Sequence, residues 1–270
     1  MSTQSRGAEA ISAAFQRAAE DRRTELITYL TLGYPTRDAT VPLVRALDQG
    51  GSGIIELGVP FSDPVADGPL IQRASHAALQ AGITPAGCLD LAAEIRAAGV
   101  RQPLILMGYY NPILAHGPAQ YVQHCVDVGV DGLIVPDLPP EEASSLQSAC
   151  DATGVALIYL IAPTSSPERQ AIIAARTSGF LYVVSRLGTT GRGTLPLDTL
   201  RTQITALRPL ARTPIAVGFG ISTAQQARAV ADTGADGVIV GSAVVERAAE
   251  GPDALERFTA ELSAALAGPQ

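Results

Sequence analysis

The chain has 270 residues, 47% of them hydrophobic and 17% charged, which is too apolar for disorder and long enough for a large core. A formal net charge of −7 and a pI near 5.0, with no basic run, argue against a nucleic-acid surface, because neutralising phosphates takes clustered Lys and Arg. The longest strongly apolar stretch, Val155 to Ala162, falls far short of the ~20 residues that span a bilayer, and no basic segment precedes a signal-type apolar core, so a cytoplasmic location is expected.

In chain order, the first element is an amphipathic segment from Ala8 to Ala19, with Ile11, Phe15 and Ala18 on one face. After it, short β-branched runs alternate with longer Ala-rich helical stretches. The strand signals are Leu26 to Leu32, Gly53 to Leu57, Leu104 to Met107, Gly132 to Val135, Ala156 to Ile161, Leu181 to Ser185, Ile215 to Val217 and Gly237 to Val240. Helices are expected at Asp38 to Gln49, Pro69 to Ala98 in two pieces, Pro118 to Val128, Pro140 to Thr153, Pro167 to Ser178, Leu197 to Leu210, Ser222 to Thr233 and Pro252 to Ala267. Several end on a repeated Asp and Gly signal, as in Asp127-Val128-Gly129 and Asp151-Ala152-Thr153-Gly154, where Gly stops the helix.

Such βα alternation requires parallel strands with helical crossovers. Eight units predict an α/β fold of the (β/α)8 TIM-barrel type, for which ~250 residues is typical, ahead of a doubly wound open sheet. The first amphipathic helix is additional and is expected across the barrel's bottom. Gly53 and Leu104 lie about twice as far apart as most neighbouring strand starts, so an insertion follows the second strand. No Ser- or Pro-rich linker interrupts the chain, which predicts a single domain over residues 1–270.

The insertion begins with "ELGVPFSDPVADGP", residues 56–69. Barrel enzymes carry their reactive groups at the C-terminal ends of strands, and Glu56 occupies that place on the second strand. Strand alternation puts Glu56 on the face of Ile54, pointing either into the barrel or towards the helices. A carboxylate in either place is costly unless it is paired, hydrogen-bonded or protonated, and partial burial suits an acid/base. Asp63 and Asp67 stand in turn-forming and helix-capping contexts, and capping is the plain reading of Asp67 taken alone. A loop folding back over the barrel mouth would instead set Asp67 against Glu56, giving two carboxylates in different environments.

Further along, Tyr182 on the sixth strand precedes a Gly- and hydroxyl-rich loop, Ser185 to Thr194, placed to act as a lid. The seventh strand ends in Val217-Gly218-Phe219-Gly220-Ile221-Ser222 and the eighth in Val240-Gly241-Ser242-Ala243. Loops seven and eight are where barrels often bind phosphate, through exposed backbone N–H groups and a helix N-terminus. Cys88, Cys125 and Cys150 lack CxxC spacing and read as buried small hydrophobes, and His76, His116 and His124 form no ligand pattern, so no metal site is expected.

These motifs resemble the tryptophan synthase α-subunit family: "DRRTELITYLTLGYP", "ELGVPFSDPVADGPLIQRA", "GYYNPI", "VPDLP", a Gly-Thr-Thr-Gly lid, "VGFGIS" and "GSAVV" match along nearly the whole chain. The resemblance implies cleavage of indole-3-glycerol phosphate to indole and glyceraldehyde 3-phosphate, a retro-aldol reaction without metal or organic cofactor, within tryptophan biosynthesis. Glu56 matches the family's acid/base, and Asp67 the carboxylate that stabilises positive charge near the indole N–H. Tyr182 matches a residue near the catalytic Glu, Tyr29 and Phe219 match residues enclosing the substrate, and Thr190 matches the lid residue that meets the catalytic Asp. Gly191, Gly220, Gly241 and Ser242 match the phosphate site. Thr189 and Gly108 depart from the family's usual residues in the lid and before Tyr109, and Arg192 matches no assigned role.

The same resemblance implies a pyridoxal-phosphate-dependent β subunit as partner, in an α2β2 complex, receiving indole through a tunnel. The loop from Phe61 to Pro69, with Asn111-Pro112-Ile113 and Pro136 to Pro139, is the implied contact surface. Two other readings compete: a phosphosugar isomerase or epimerase barrel, and a mainly regulatory subunit that only stimulates its β partner.

Overall fold

The computed structural model describes residues 6–185, 196–218 and 220–268. Strands β1 (Glu25–Thr31), β2 (Ile54–Gly58), β3 (Leu104–Met107), β4 (Gly132–Ile134), β5 (Ala156–Ile158), β6 (Leu160–Ile161), β7 (Leu181–Val184), β8 (Ile215–Gly218) and β9 (Gly237–Val240) form one parallel sheet in the order β5-β4-β3-β2-β1-β9-β8-β7-β6. The two ends of that order are joined through Tyr159, whose C=O accepts from the Tyr182 N–H at 3.2 Å, so the sheet closes into the expected TIM barrel. The single strand expected from Ala156 to Ile161 is therefore two pieces. The Tyr159 N–H donates to the Thr177 hydroxyl at 3.1 Å instead of to a neighbouring strand, which interrupts the ladder there.

Alternation along each strand divides the core in two. Ile55 and Leu57 face outward into a layer with Leu43, Leu47 and Leu89, while Ile27, Ile54, Ile105, Ile134, Ile158 and Ile239 fill the barrel. Helix α1 (Ala8–Glu20) buries Ile11, Ala14, Phe15 and Ala18, and Ile11 and Phe15 join the inner set, with the Phe15 and Phe180 rings 5.8 Å apart. Phe180 immediately precedes β7, so α1 plugs the bottom of the barrel as its apolar face predicts. Asp131, 1% exposed at the foot of β4, fastens this end: it accepts from Gly7 N at 2.9 Å, from Leu104 N at 3.0 Å and from Arg96 Nη2 at 2.6 Å.

The outer helices are α2 (Thr40–Gln49), α3 (Pro69–Gln80), α4 (Pro85–Ala97), α5 (Tyr110–His116), α6 (Pro118–Val128), α7 (Ser144–Thr153), α8 (Pro167–Arg176), α9 (Leu197–Leu207), α10 (Ala224–Ala231), α11 (Ser242–Ala248) and α12 (Pro252–Ala265). The insertion after β2 comprises the Asp67 loop and α3, with α4 as the ordinary crossover helix. Left-handed Gly129 and Gly154 end α6 and α7 as the pattern requires. Besides the divided strand, two helices differ from the sequence reading. Helix α7 starts at Ser144, not Pro140, because residues 139–143 form successive turns closed by Glu142 N to Pro139 O and Ala143 N to Pro140 O. Helix α5 was not expected from the Asn111-Pro112-Ile113 segment, since its capping acceptor comes from a different loop. The three cysteines are free and buried, and no helix of the described residues is long and apolar enough to cross a membrane.

Candidate active site

Glu56 shares the inner face of β2 with Ile54, and its register partners Tyr29 on β1 and Ile105 on β3 belong to the inner core, so the carboxylate points into the barrel. It is 1% exposed, and its Oε1 has no hydrogen-bond partner among the described residues. Desolvation alone pushes its pKa up to about 8, because a buried charge is penalised where nothing compensates it. At neutral pH the group is therefore mostly the neutral acid, able to give a proton.

Tyr29 approaches from the adjacent strand β1 and Tyr182 from β7, four strands away across the barrel, each buried, with hydroxyl pKa values raised by burial and by the nearby carboxylates Glu56 and Asp67. Each ring lies over a strand-end glycine. A Cβ on Gly58 would stand 2.0 Å from the Tyr29 Oη, and one on Gly218 would stand 2.3 Å from the Tyr182 Oη. The two glycines are thus required by close approach. Neither was singled out from the sequence, although each directly ends a strand at the mouth.

Asp67 does not cap α3. The N-cap is Gly68, without a side-chain cap bond, and Pro69 starts the helix with no N–H to satisfy. The Asp67 carboxylate, 8% exposed, instead accepts from the Tyr109 hydroxyl at 3.2 Å. Burial raises its pKa and the hydrogen bond from Tyr109 opposes that rise. Glu56 and Asp67 both lie close enough to act electrostatically on Tyr29 and Tyr182, so the loop does bring the second carboxylate to the same mouth. Asp63 lies exposed in a turn and accepts from the Ser62 hydroxyl at 2.5 Å.

At the end of β9, the other neighbour of β1, Gly241 precedes α11 and lies beside Tyr29, an added Cβ there standing 3.7 Å from the Tyr29 Cβ. Ser242 opens α11 and is exposed, and Gly220 has a left-handed φ of 79°. The proposed site residues Thr190, Gly191 and Phe219 lie outside the described residues, as do Thr189 and Arg192. Gly108 has a local reason: a Cβ there would come 3.1 Å from the Val59 Cβ.

A family model described as "Tryptophan synthase alpha chain" matches residues 15–268. The chain belongs to the tryptophan synthase alpha chain family. It is 47% identical over 237 residues to the Dehalococcoides mccartyi protein named tryptophan synthase alpha chain, covering 87% of this chain and 90% of that one. It is 42% identical over 246 residues to the Saccharomyces cerevisiae protein named tryptophan synthase, a match that spans 91% of this chain but 35% of the yeast one. Among solved structures, Mycobacterium tuberculosis tryptophan synthase superposes with a TM-score of 0.90 at 36% identity, covering 96% of this chain and 98% of that one. In this member of the alpha chain family, a cleft of about 590 Å³ opens beside the Asp67 loop, lined by Val65, Ala66, Pro136, Leu160, Arg169 and Val184 among others.

Proposed function

We propose that the chain cleaves indole-3-glycerol phosphate to indole and glyceraldehyde 3-phosphate, as one barrel domain and with no metal or organic cofactor of its own. The observation that carries this reading is a pair of buried carboxylates at one barrel mouth in unlike environments: Glu56 without a partner on Oε1 and Asp67 held by Tyr109. Protonated Glu56 gives its proton to indole C3, which becomes tetrahedral while the ring becomes a cationic indolenine. Asp67 stabilises that charge near the ring N–H. The Glu56 carboxylate then takes the proton of the side-chain hydroxyl next to C3. As the C3–carbon bond breaks, its electron pair returns to the ring, the hydroxyl carbon becomes the aldehyde, and Glu56 is again protonated.

Tyr29, Tyr182 and Phe219 would enclose the substrate, with Gly191, Gly220, Gly241 and Ser242 at its phosphate and Thr190 closing over Asp67. These assignments follow the family resemblance, and the placement of Gly241 beside Tyr29 supports one continuous site. Purified chain should form indole from indole-3-glycerol phosphate, and Glu56→Gln should not. Isomerisation of a phosphosugar without indole formation would replace this reading.

The partner of this reading is a β subunit that carries pyridoxal phosphate and consumes the indole in a cytoplasmic α2β2 complex. Val65, 80% exposed at the tip of the Phe61 to Pro69 loop, supports a contact there, together with Asn111 to Ile113 and Pro136 to Pro139. Stimulation of a β subunit by a chain that made no indole even in the complex would instead mark a regulatory subunit.

A further inference from the structure

Tyr109 has no part in the chemistry just described, yet among the described residues its hydroxyl alone hydrogen-bonds the Asp67 carboxylate. It is 5% exposed and lies between β3 and α5. Its hydroxyl accepts from the Ala66 N–H at 2.9 Å and donates to Asp67 Oδ2 at 3.2 Å. Its ring stacks on Phe61, with centroids 4.9 Å apart and planes 25° apart. One side chain therefore holds the beginning of the loop through Phe61 and its functional end through Asp67. The tip between them carries Val65, 80% exposed.

Tyr109 is itself fixed from a third loop. The Tyr110 N–H, at the start of α5, donates to both oxygens of Asp137 at 2.9 and 3.2 Å, and Gly108 N donates to Ile134 O at 3.0 Å. Asp137 thus supplies the cap that α5 lacks locally and sets where Tyr109 begins. No Lys or Arg of the described residues forms an ion pair with Asp67 within 4.0 Å, so the Tyr109 hydroxyl stands where a cation would otherwise orient the carboxylate.

We infer that Tyr109, braced by Asp137, is a positioning residue that presets Asp67 for the reaction. The inference rests on the role given to Asp67 under the proposed function. A carboxylate meant to stabilise a developing charge is most effective when already aimed at it, since reorganisation during the step costs rate. The hydroxyl supplies both an aim and a preference for the ionised form, because a hydrogen bond to a carboxylate favours the charged state. Among the described residues, the other titratable groups facing Asp67 are the Tyr29 and Tyr182 hydroxyls from β1 and β7, with Glu56 close to both tyrosines. Neither tyrosine replaces the directed bond from Tyr109.

The test is Tyr109→Phe in the full chain, which keeps the ring on Phe61 and removes only the hydroxyl. In the Asp67 protein, kcat for indole formation should fall about 10- to 100-fold, the scale of a misplaced catalytic group, with KM changed less than ~3-fold. In an Asp67→Asn background, the same substitution should change kcat less than ~2-fold, because a residue acting through Asp67 has nothing left to act through. Equal losses in both backgrounds, or no loss in either, would overturn the inference. Phe61→Leu, which keeps the hydroxyl and removes the stack, should show the same dependence on Asp67.

An independent arm needs no turnover. Titration of the Asp67 carboxyl carbon by nuclear magnetic resonance should give a higher pKa in Tyr109→Phe than in the parent protein, and an unchanged value would also overturn the inference. If the parent makes no indole while this titration shifts as expected, the proposed reaction fails and the Tyr109 contact stands.

Discussion

Tyr29 and Glu56 are register partners on β1 and β2, both turned into the barrel, and the tyrosine hydroxyl does not satisfy the Glu56 Oε1. Burial consequently keeps the acid mostly protonated at neutral pH, the form the proposed reaction needs. Glu56→Gln should lower kcat for indole formation by about 10²- to 10⁴-fold, the usual contribution of a positioned acid/base. In the unsubstituted chain, kcat/KM should fall as pH rises through about 8, where the donor form is lost, and steady-state assays across pH would check both outcomes.

The same burial links stability to pH. Glu56 titrates near 4.5 when exposed and near 8 when folded, so the folded state binds the extra proton. Its contribution is fully present below about pH 4.5 and is lost as pH rises towards and through 8. Glu56→Gln lacks this loss and should gain stability relative to the parent between those limits, by a few kcal/mol at ~1.4 kcal/mol per pKa unit. Urea unfolding at several pH values would reveal the widening gap, which should level off above pH 8.

Gly58 leaves no room for a methyl group beneath Tyr29, where a Cβ would come 2.4 Å from the ring carbon bearing the hydroxyl. Gly58→Ala should therefore cost about 1–3 kcal/mol by overpacking and displace Tyr29 at the mouth. Paired with Tyr29→Ala, which empties a buried ring site and is itself costly, it should add little further loss, because the ring it collides with is gone. Unfolding and activity measured on the same samples separate the two effects.

Asp131 and Arg96 make a buried pair at the opposite end of the barrel, with side chains 1% and 10% exposed. Asp131→Ala should cost about 3–5 kcal/mol, since it strands the Arg96 charge and two backbone donors. Glu250→Ala, at a pair whose side chains are about half exposed, should change stability by less than ~0.5 kcal/mol. Chemical denaturation of the two variants gives the contrast directly.

The position of Glu56 was legible because two local regularities coincide on it: it ends a strand, and it shares a face with Ile54. Asp67 was harder, since Asp-Gly-Pro before a helix has the composition of a cap, and only the fold takes its carboxylate elsewhere. Tyr109 and helix α5 were missed for one shared reason. The groups that satisfy them, Ala66, Asp67 and Asp137, come from other loops, and no local pattern in Gly108-Tyr109-Tyr110-Asn111 announces such partners.

The sequence by itself determined the number and order of the βα units, the plugging helix at the bottom, the insertion after β2 and the family to which the chain belongs, because propensity, periodicity and local motifs act over a few neighbouring residues. Only the tertiary structure decided which face of β2 is inside, how Tyr159 closes the sheet across a broken strand, and which hydroxyl holds Asp67. Those depend on desolvation and directed hydrogen bonds between groups distant in the chain, as between Tyr110 and Asp137, and such terms arise only once the barrel has brought its loops together.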